Sequence, residues 1–299
     1  MGKGISIFGA GLSGLIAARM LHEHGPTVYE RQDKLPNNHH AVLRFRSSIV
    51  GDVTNIPLRK VRVTKAVVGG SNPVYDMVGY SLKTTGVLHE RSISSLEPVD
   101  RYVSPRDFIA RLASTAKIQT GVDFIDWSHN LIKEHGPIIS TIPMPVMMDI
   151  FKWTDRPEMN YRNGWNLTVT LHENLDCNIN ATLYNPDPYT PWYRATLMDE
   201  KIIFEGAGDP SDFDEEEIDE WLGNFCLTYG YVANHKIRSA KYQKISDLSR
   251  SDRLKADAFM VWLSKEKNIY SLGRFATWRP KLLLDDVVND VRAIMNMAK

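Results

Sequence analysis

The sequence predicts an α/β fold in two parts: a parallel-sheet domain split between both ends of the chain, and a mainly antiparallel sheet inserted between them. Three observations predict it. Residues 4–30 run strand, glycine turn, helix, strand in one short βαβ unit. From about 151 to 205 the texture changes to recurring strand-length runs with turn residues between them. After residue 268 a strand, a Gly-Arg turn and an apolar-faced helix return.

Each element has a local cause. Ile5 and Ile7 alternate inward on the first strand, and Gly9-Ala-Gly11-Leu-Ser-Gly14 makes the turn. Leu15, Ala18 and Leu21 with Met20 give a helix face near 3.6 spacing; Gly25-Pro26 stops it, and 27–29 forms the second strand. Residues 36–103 read as irregular, with short β-prone runs at 61–68 and 74–80. Ser104-Pro105 opens a helix to about 116, since proline is tolerated in a first turn. Residues 118–124 and 137–142 read as strands. The insertion is expected to hold strands at 165–171, 180–184, 193–197 and 202–205, then a helix at 214–229. A β-prone connector leads to a strand at 268–272 and a helix at 282–297. The expected division puts 1–65, 104–150 and 264–299 in the split domain, and 66–103 with 151–263 in the inserted one.

Composition removes several classes. The chain has 299 residues with 36 Lys+Arg against 36 Asp+Glu, so it lacks the basic excess of a general nucleic-acid binder. A 43% hydrophobic content excludes disorder and suits a sizeable core. Cys177 and Cys226 form no CxxC, which argues against a dithiol motif or Cys-rich zinc site and for a reducing, cytoplasmic setting. No apolar run reaches the ~18–20 residues of a membrane span. No metal is expected either: HExxH is absent, and the adjacent His39 and His40 read as an exposed loop.

The glycine turn carries the chemistry. Gly9, Gly11 and Gly14 have the dinucleotide spacing, follow an apolar strand and open a helix; Glu30 comes 21 positions after Gly9. Glycine at these places allows the tight turn, the close approach of a pyrophosphate and close helix–strand packing. The helix N-terminus, through Leu12 and Ser13, offers free N–H groups to phosphates. Glu30, with Arg31 beside it, would accept from the adenosine ribose. FAD is favoured over NAD, because the chain returns to this domain at its other end. There Gly273 and Arg274, between a strand and a helix, can bring further donors.

These segments also carry a resemblance. Residues 5–30 resemble the opening of the glutathione-reductase-type flavoproteins. The segment from Ile138 through Thr141 to Pro145 is similar to the strand-then-Thr-x-Pro of the amine oxidase and UDP-galactopyranose mutase branch. The segment from Asn268 through Gly273 and Arg274 to Trp278 resembles that branch's closing flavin segment. The resemblance implies a Rossmann-like FAD-binding domain, an inserted substrate domain and non-covalent FAD, with Thr141, Gly273, Arg274 and Trp278 near the cofactor. By the same resemblance, a lysine near the flavin points to Lys244, and aromatics facing the ring point to Tyr193 and Trp278; these three are the catalytic candidates.

A second nucleotide fold is not expected. Gly206-Ala-Gly208 leads into seven acids between 212 and 220, which would repel phosphate. Substrate candidates are Arg44 and Arg46, which share one face of a strand, and the Trp192-Tyr193-Arg194 trio. Arg44 and Arg46 belong to six cations in residues 44–65, opposed within that run only by Asp52. Such a run can grip an anionic substrate or simply form a solvated face. The leading expectation is an FAD-dependent oxidoreductase acting on a small molecule at a C–H bond next to nitrogen, with molecular oxygen as acceptor. One alternative is a mutase-like, non-redox enzyme acting on a sugar nucleotide. Another is a flavoprotein acting on a modified base in nucleic acid.

Overall fold

The computed structural model describes residues 4–35, 43–70, 72–88, 92–131, 136–171, 179–198, 201–209 and 233–298, with single helical positions at 216, 220 and 223. The chain opens with β1 (Ser6–Phe8), α1 (Leu12–Met20) and β2 (Thr27–Tyr29). It continues through β3 (Arg44–Phe45), α2 (Ile49–Thr54), β4 (Arg59–Val67), α3 (Pro73–Thr85), β5 (Val99–Val103) and α4 (Phe108–Ala113). β6 (Lys117–Gln119), α5 (Phe124–Leu131), β7 (Ile138–Ser140) and α6 (Met144–Ile150) follow. The insertion supplies β8 (Tyr161–Leu171), β9 (Asn180–Tyr184), β10 (Trp192–Met198), β11 (Lys201–Ala207) and β12 (Ala233–Ile245). The chain closes with α7 (Arg250–Lys267), β13 (Ile269–Ser271) and α8 (Leu284–Met297).

Two sheets organise these elements. Five parallel strands lie in the order β13-β7-β1-β2-β6, so the first and last strands of the chain belong to one sheet. Ile7, Val28, Ile139 and Ile269 are fully buried there, as strands covered on both faces require. Eight strands form the second sheet, β12-β8-β11-β10-β9-β4-β5-β3, antiparallel except for the β4–β9 pair. It curls: the guanidinium of Arg44, on edge strand β3, donates to Thr182 Oγ1 on β9 at 2.6 Å. On a flat sheet three strand spacings would separate those strands by ~14 Å.

The α/β class, the split parallel sheet and the inserted antiparallel sheet are as expected. Several local expectations are corrected. Residues 74–80 lie inside helix α3 rather than a β-prone run. Asn72 Oδ1 accepts from the N–H groups of Val74 (3.0 Å) and Tyr75 (3.4 Å), Pro73 opens the helix, and left-handed Gly86 ends it. Those boundary signals outweigh the β-preference of the valines and tyrosines between them. The connector before β13 is the 18-residue α7, capped by Ser249 and ended by left-handed Asn268. Its buried Ala256, Phe259 and Leu263 pack with Ile138 and Ile269, so α7 sits on the parallel sheet and not with the insertion. Conversely, β3 and β4 pair into the large sheet, which moves residues 44–45 and 59–65 out of the split domain where they were expected. The strand expected at 118–124 is the shorter β6, and α5 begins at Phe124. The helix expected at 214–229 lies outside the described residues apart from 216, 220 and 223, as do His39, His40 and both cysteines.

Candidate functional site

The first half of the site lies at the C-terminal ends of the parallel strands, where ligands of such sheets bind. Gly9 has φ +98°, and a Cβ there would fall 2.0 Å from Thr141 Oγ1. Thr141 holds that position by donating to the Phe8 carbonyl at 2.9 Å. A Cβ on Gly14 would fall 2.0 Å from the Gly9 carbonyl oxygen. Gly11 differs: nothing lies within 4 Å of where its Cβ would stand. It is exposed and caps α1, whose first turn has no side-chain cap. Two glycines therefore seal the turn while the third leaves an opening before the N–H groups of Leu12, Ser13 and Gly14, where a pyrophosphate fits.

Glu30 stands beside this opening. Its carboxylate accepts from the N–H groups of Ala10 (2.8 Å) and Gln32 (3.0 Å), which fixes it at the end of β2; Arg31 is exposed. The closing segment meets the turn at Gly273, where φ is +92° and a Cβ would fall 2.8 Å from Ser13 Oγ. Arg274 turns its guanidinium to the Leu282 carbonyl, 2.9 and 3.2 Å away. Trp278 is 3% exposed, packs beside Phe8 and Met144, and donates from Nε1 to the Ser246 carbonyl at 3.2 Å. It is a wedge between the parallel sheet and the end of β12. Its φ of +47° is unusual for a bulky side chain.

The second half is the polar face of the curled sheet. Register places Tyr184, Arg194, Glu205 and Asn166 side by side on β9, β10, β11 and β8. One residue along, Leu183, Ala195, Phe204 and Leu167 make the apolar face. Trp192 belongs to that apolar face, 5.4 Å from Phe204 in an edge-on contact. A register shift between Trp192 and Arg194 separates it from its neighbours. The expected trio is thus divided, and only Tyr193 and Arg194 reach the polar side.

Two candidates far apart in sequence do meet. Lys244 Nζ donates to the Tyr193 hydroxyl at 3.1 Å and sits 4.5 Å from its ring centre. The Tyr193 and Tyr242 hydroxyls are 3.0 Å apart. Tyr80, from α3, packs edge-on against Tyr184 and Tyr193, with ring centres 5.2 and 6.2 Å away. Burial pushes the Tyr80 and Tyr242 hydroxyls up to about 12 and Tyr193 well above its ordinary value. These tyrosines therefore stay protonated through the neutral range and act as hydrogen-bond donors or acceptors. Burial opposes the charge on Arg194, but Glu205, bound to it through both Nε and Nη2, outweighs that and raises its pKa.

The basic run divides as well. Lys60 and Arg62 point outward and share Asp100, at 2.8 and 2.9 Å. Arg44 turns onto the polar face, where burial first and Arg194 second pull its pKa down to about 10. Arg46 is exposed and bears on Arg101, which also stands on that side. Sequence reasoning missed Tyr80, Arg101, Glu205 and Tyr242, because only strand register and the curl bring them together. It rightly distrusted Gly206-Ala-Gly208: Gly206 lies in β11, and a Cβ there would strike the Trp165 indole at 2.1 Å.

No protein-family model matches the chain, and no curated protein matches it in sequence. Solved structures do match. A reduced UDP-galactopyranose mutase is 16% identical with a TM-score of 0.63, over 98% of this chain and 94% of the mutase. An oxidoreductase from Methanosarcina mazei is 12% identical with a TM-score of 0.57, over 98% of this chain and all (100%) of the other. An aklavinone-11 hydroxylase, in a ternary complex with FAD and aklavinone, is 11% identical with a TM-score of 0.53, over 99% of this chain and 61% of the hydroxylase. The fold is a flavoprotein fold. Among the described residues no helix is long and apolar enough to cross a membrane, and no cluster of three or more His, Cys, Asp or Glu could hold a metal.

Proposed function

We propose that the protein is an FAD-dependent oxidoreductase that oxidises a C–H bond next to nitrogen in a small substrate such as an amino acid. The observation that carries the flavin is the glycine turn, sealed at Gly9 and Gly14 and open at Gly11 before an uncapped helix, with Glu30 alongside. Bound FAD supplies a two-electron acceptor for hydride, and molecular oxygen takes the electrons onward. The chain supplies position and environment. Gly11 and the α1 N-terminus hold the pyrophosphate, and Glu30 takes the ribose hydroxyls. Tyr193, Tyr242 and Tyr80 pack together on the polar face, and Lys244 holds a proton at Nζ beside the Tyr193 hydroxyl.

Purified protein should be yellow, with absorption near ~450 nm as for flavins generally. Anaerobic mixing with amines and amino acids should bleach it. Protein that is colourless and cannot be reconstituted with FAD sinks the reading. A second reading is a mutase-like reaction on a sugar nucleotide, favoured by the likeness to the mutase over almost all of both chains. Turnover of a sugar nucleotide only after dithionite reduction, with no bleaching by any amine, would select it.

A further inference from the structure

Arg44 makes no direct ion pair with a carboxylate among the described residues. Its guanidinium donates to two neutral oxygens, Thr182 Oγ1 at 2.6 Å and the Ala181 carbonyl at 3.4 Å, both on β9. A guanidinium has five N–H donors in a planar fork, so donors remain. The acid on that face, Glu205, is committed to Arg194 by two hydrogen bonds. After burial, Arg194 is the strongest neighbouring influence on Arg44 and, with Arg101, pulls its pKa down; Tyr184 and then Glu205, which is already bonded to Arg194, act against them. Burying a guanidinium without a directly paired carboxylate is costly, and an anionic ligand would supply the missing partner.

We propose that this corner of the polar face binds an anionic group, a carboxylate or a phosphate, gripped by Arg44 with Arg101 beside it. The fork geometry suits bidentate contact to either anion. The anion belongs to the substrate, because the guanidinium of Arg44, a β3 residue, is fastened to β9 of the inserted sheet, while the glycine turn already offers its own N–H groups to the cofactor. The site stands on its own geometry; only the nature of its occupant rests on the proposed function. It narrows that function to substrates carrying a negative group, an amino acid rather than a simple amine.

Calorimetric titration of inorganic phosphate and of acetate into the purified protein at low salt tests this without requiring flavin. Wild type should bind at least one of them saturably. Arg44→Gln should weaken that binding by on the order of tenfold, the size of one charge-assisted hydrogen bond. Arg62→Gln removes the same charge from the outward side and should change nothing. FAD affinity, read separately by flavin fluorescence, should be the same in Arg44→Gln and wild type. If Arg44→Gln does not fold, Arg44→Lys and Thr182→Val should each weaken the anion and spare FAD. The proposal is overturned if wild type binds neither anion, or if the Arg44 variants bind as wild type does. A parallel loss of FAD and anion affinity also overturns it, by assigning Arg44 to the cofactor's pyrophosphate. Colourless protein with Arg44-dependent anion binding would reject the flavin reading and leave the anion site standing.

Discussion

Glu205 sits opposite Arg194 in the β10–β11 register and holds it by two hydrogen bonds. Glu205→Gln should leave the guanidinium poorly matched. The side chains are 37% (Arg194) and 14% (Glu205) exposed, so solvent screens part of the loss. A cost of about 1–3 kcal/mol is expected from urea unfolding, below the cost of breaking a fully buried pair. Lys83 gives a pH signature. Its ammonium donates to the Asp187 carbonyl and Thr190 Oγ1, and burial pulls its pKa down from 10.5 to about 8. Between those values the unfolded chain binds more protons than the folded one, so stability should rise with pH from 8 towards 10 by about 1–2 kcal/mol. Lys83→Met should remove that rise. Above about 10 the buried tyrosines reverse the slope, because the unfolded chain then releases protons that the folded chain keeps. A urea midpoint that falls between pH 8 and 10 in wild type would contradict the assignment. At this scale the sequence showed which residues carry charge, but not that Arg44 faces inward while Arg62 faces out. That depends on strand alternation and on Asp100, brought to Arg62 by β5.

The glycine turn was legible as an element because its function is written in spacing and local geometry. The structure adds a division of labour among its glycines that gives opposite predictions. Gly14→Ala must displace the Gly9 carbonyl and should lower stability by about 1–3 kcal/mol, as overpacking does, whatever its effect on cofactor. Gly11→Ala meets open space, so its melting temperature without flavin should stay close to wild type. Its added methyl stands where the pyrophosphate must approach, and FAD affinity should fall at least about tenfold. Equal loss of stability in both variants would contradict this division. Helices α3 and α7 were not legible as helices. Their cores are thin: α3 buries only Tyr80, Ser81 and Thr84, and α7 only Ala256, Phe259 and Leu263. The apolar stripe was too sparse to read by period, while the caps at Asn72, Gly86, Ser249 and Asn268 settle the ends.

At the scale of the whole molecule, the zero net charge conceals a segregation that the fold uses. Arg44 and Arg194 come from opposite halves of the sequence, and the curl of one sheet sets both on the same polar face. The cofactor cradle is likewise assembled from three distant segments: 9–14, Thr141 and Gly273. The order of the large sheet could not be read from the chain, because its β4–β9 pairing joins strands more than a hundred residues apart. The two sheets share a core: Ile245, at the end of β12, is buried in the same cluster as Phe8, Met144 and Trp278. That shared core predicts how the molecule responds to its cofactor. FAD at 100 times its dissociation constant should stabilise the folded state by ~2.7 kcal/mol, since it binds only the folded cradle. A chain of this size should gain roughly 3–5 °C in melting temperature. Because Trp278 wedges the end of β12 against the parallel sheet, one transition should move as a unit, followed equally by flavin release and by tryptophan fluorescence. Two transitions, of which flavin shifts only one, would mean that the sheets unfold independently and that the cluster around Phe8 and Ile245 does not couple them.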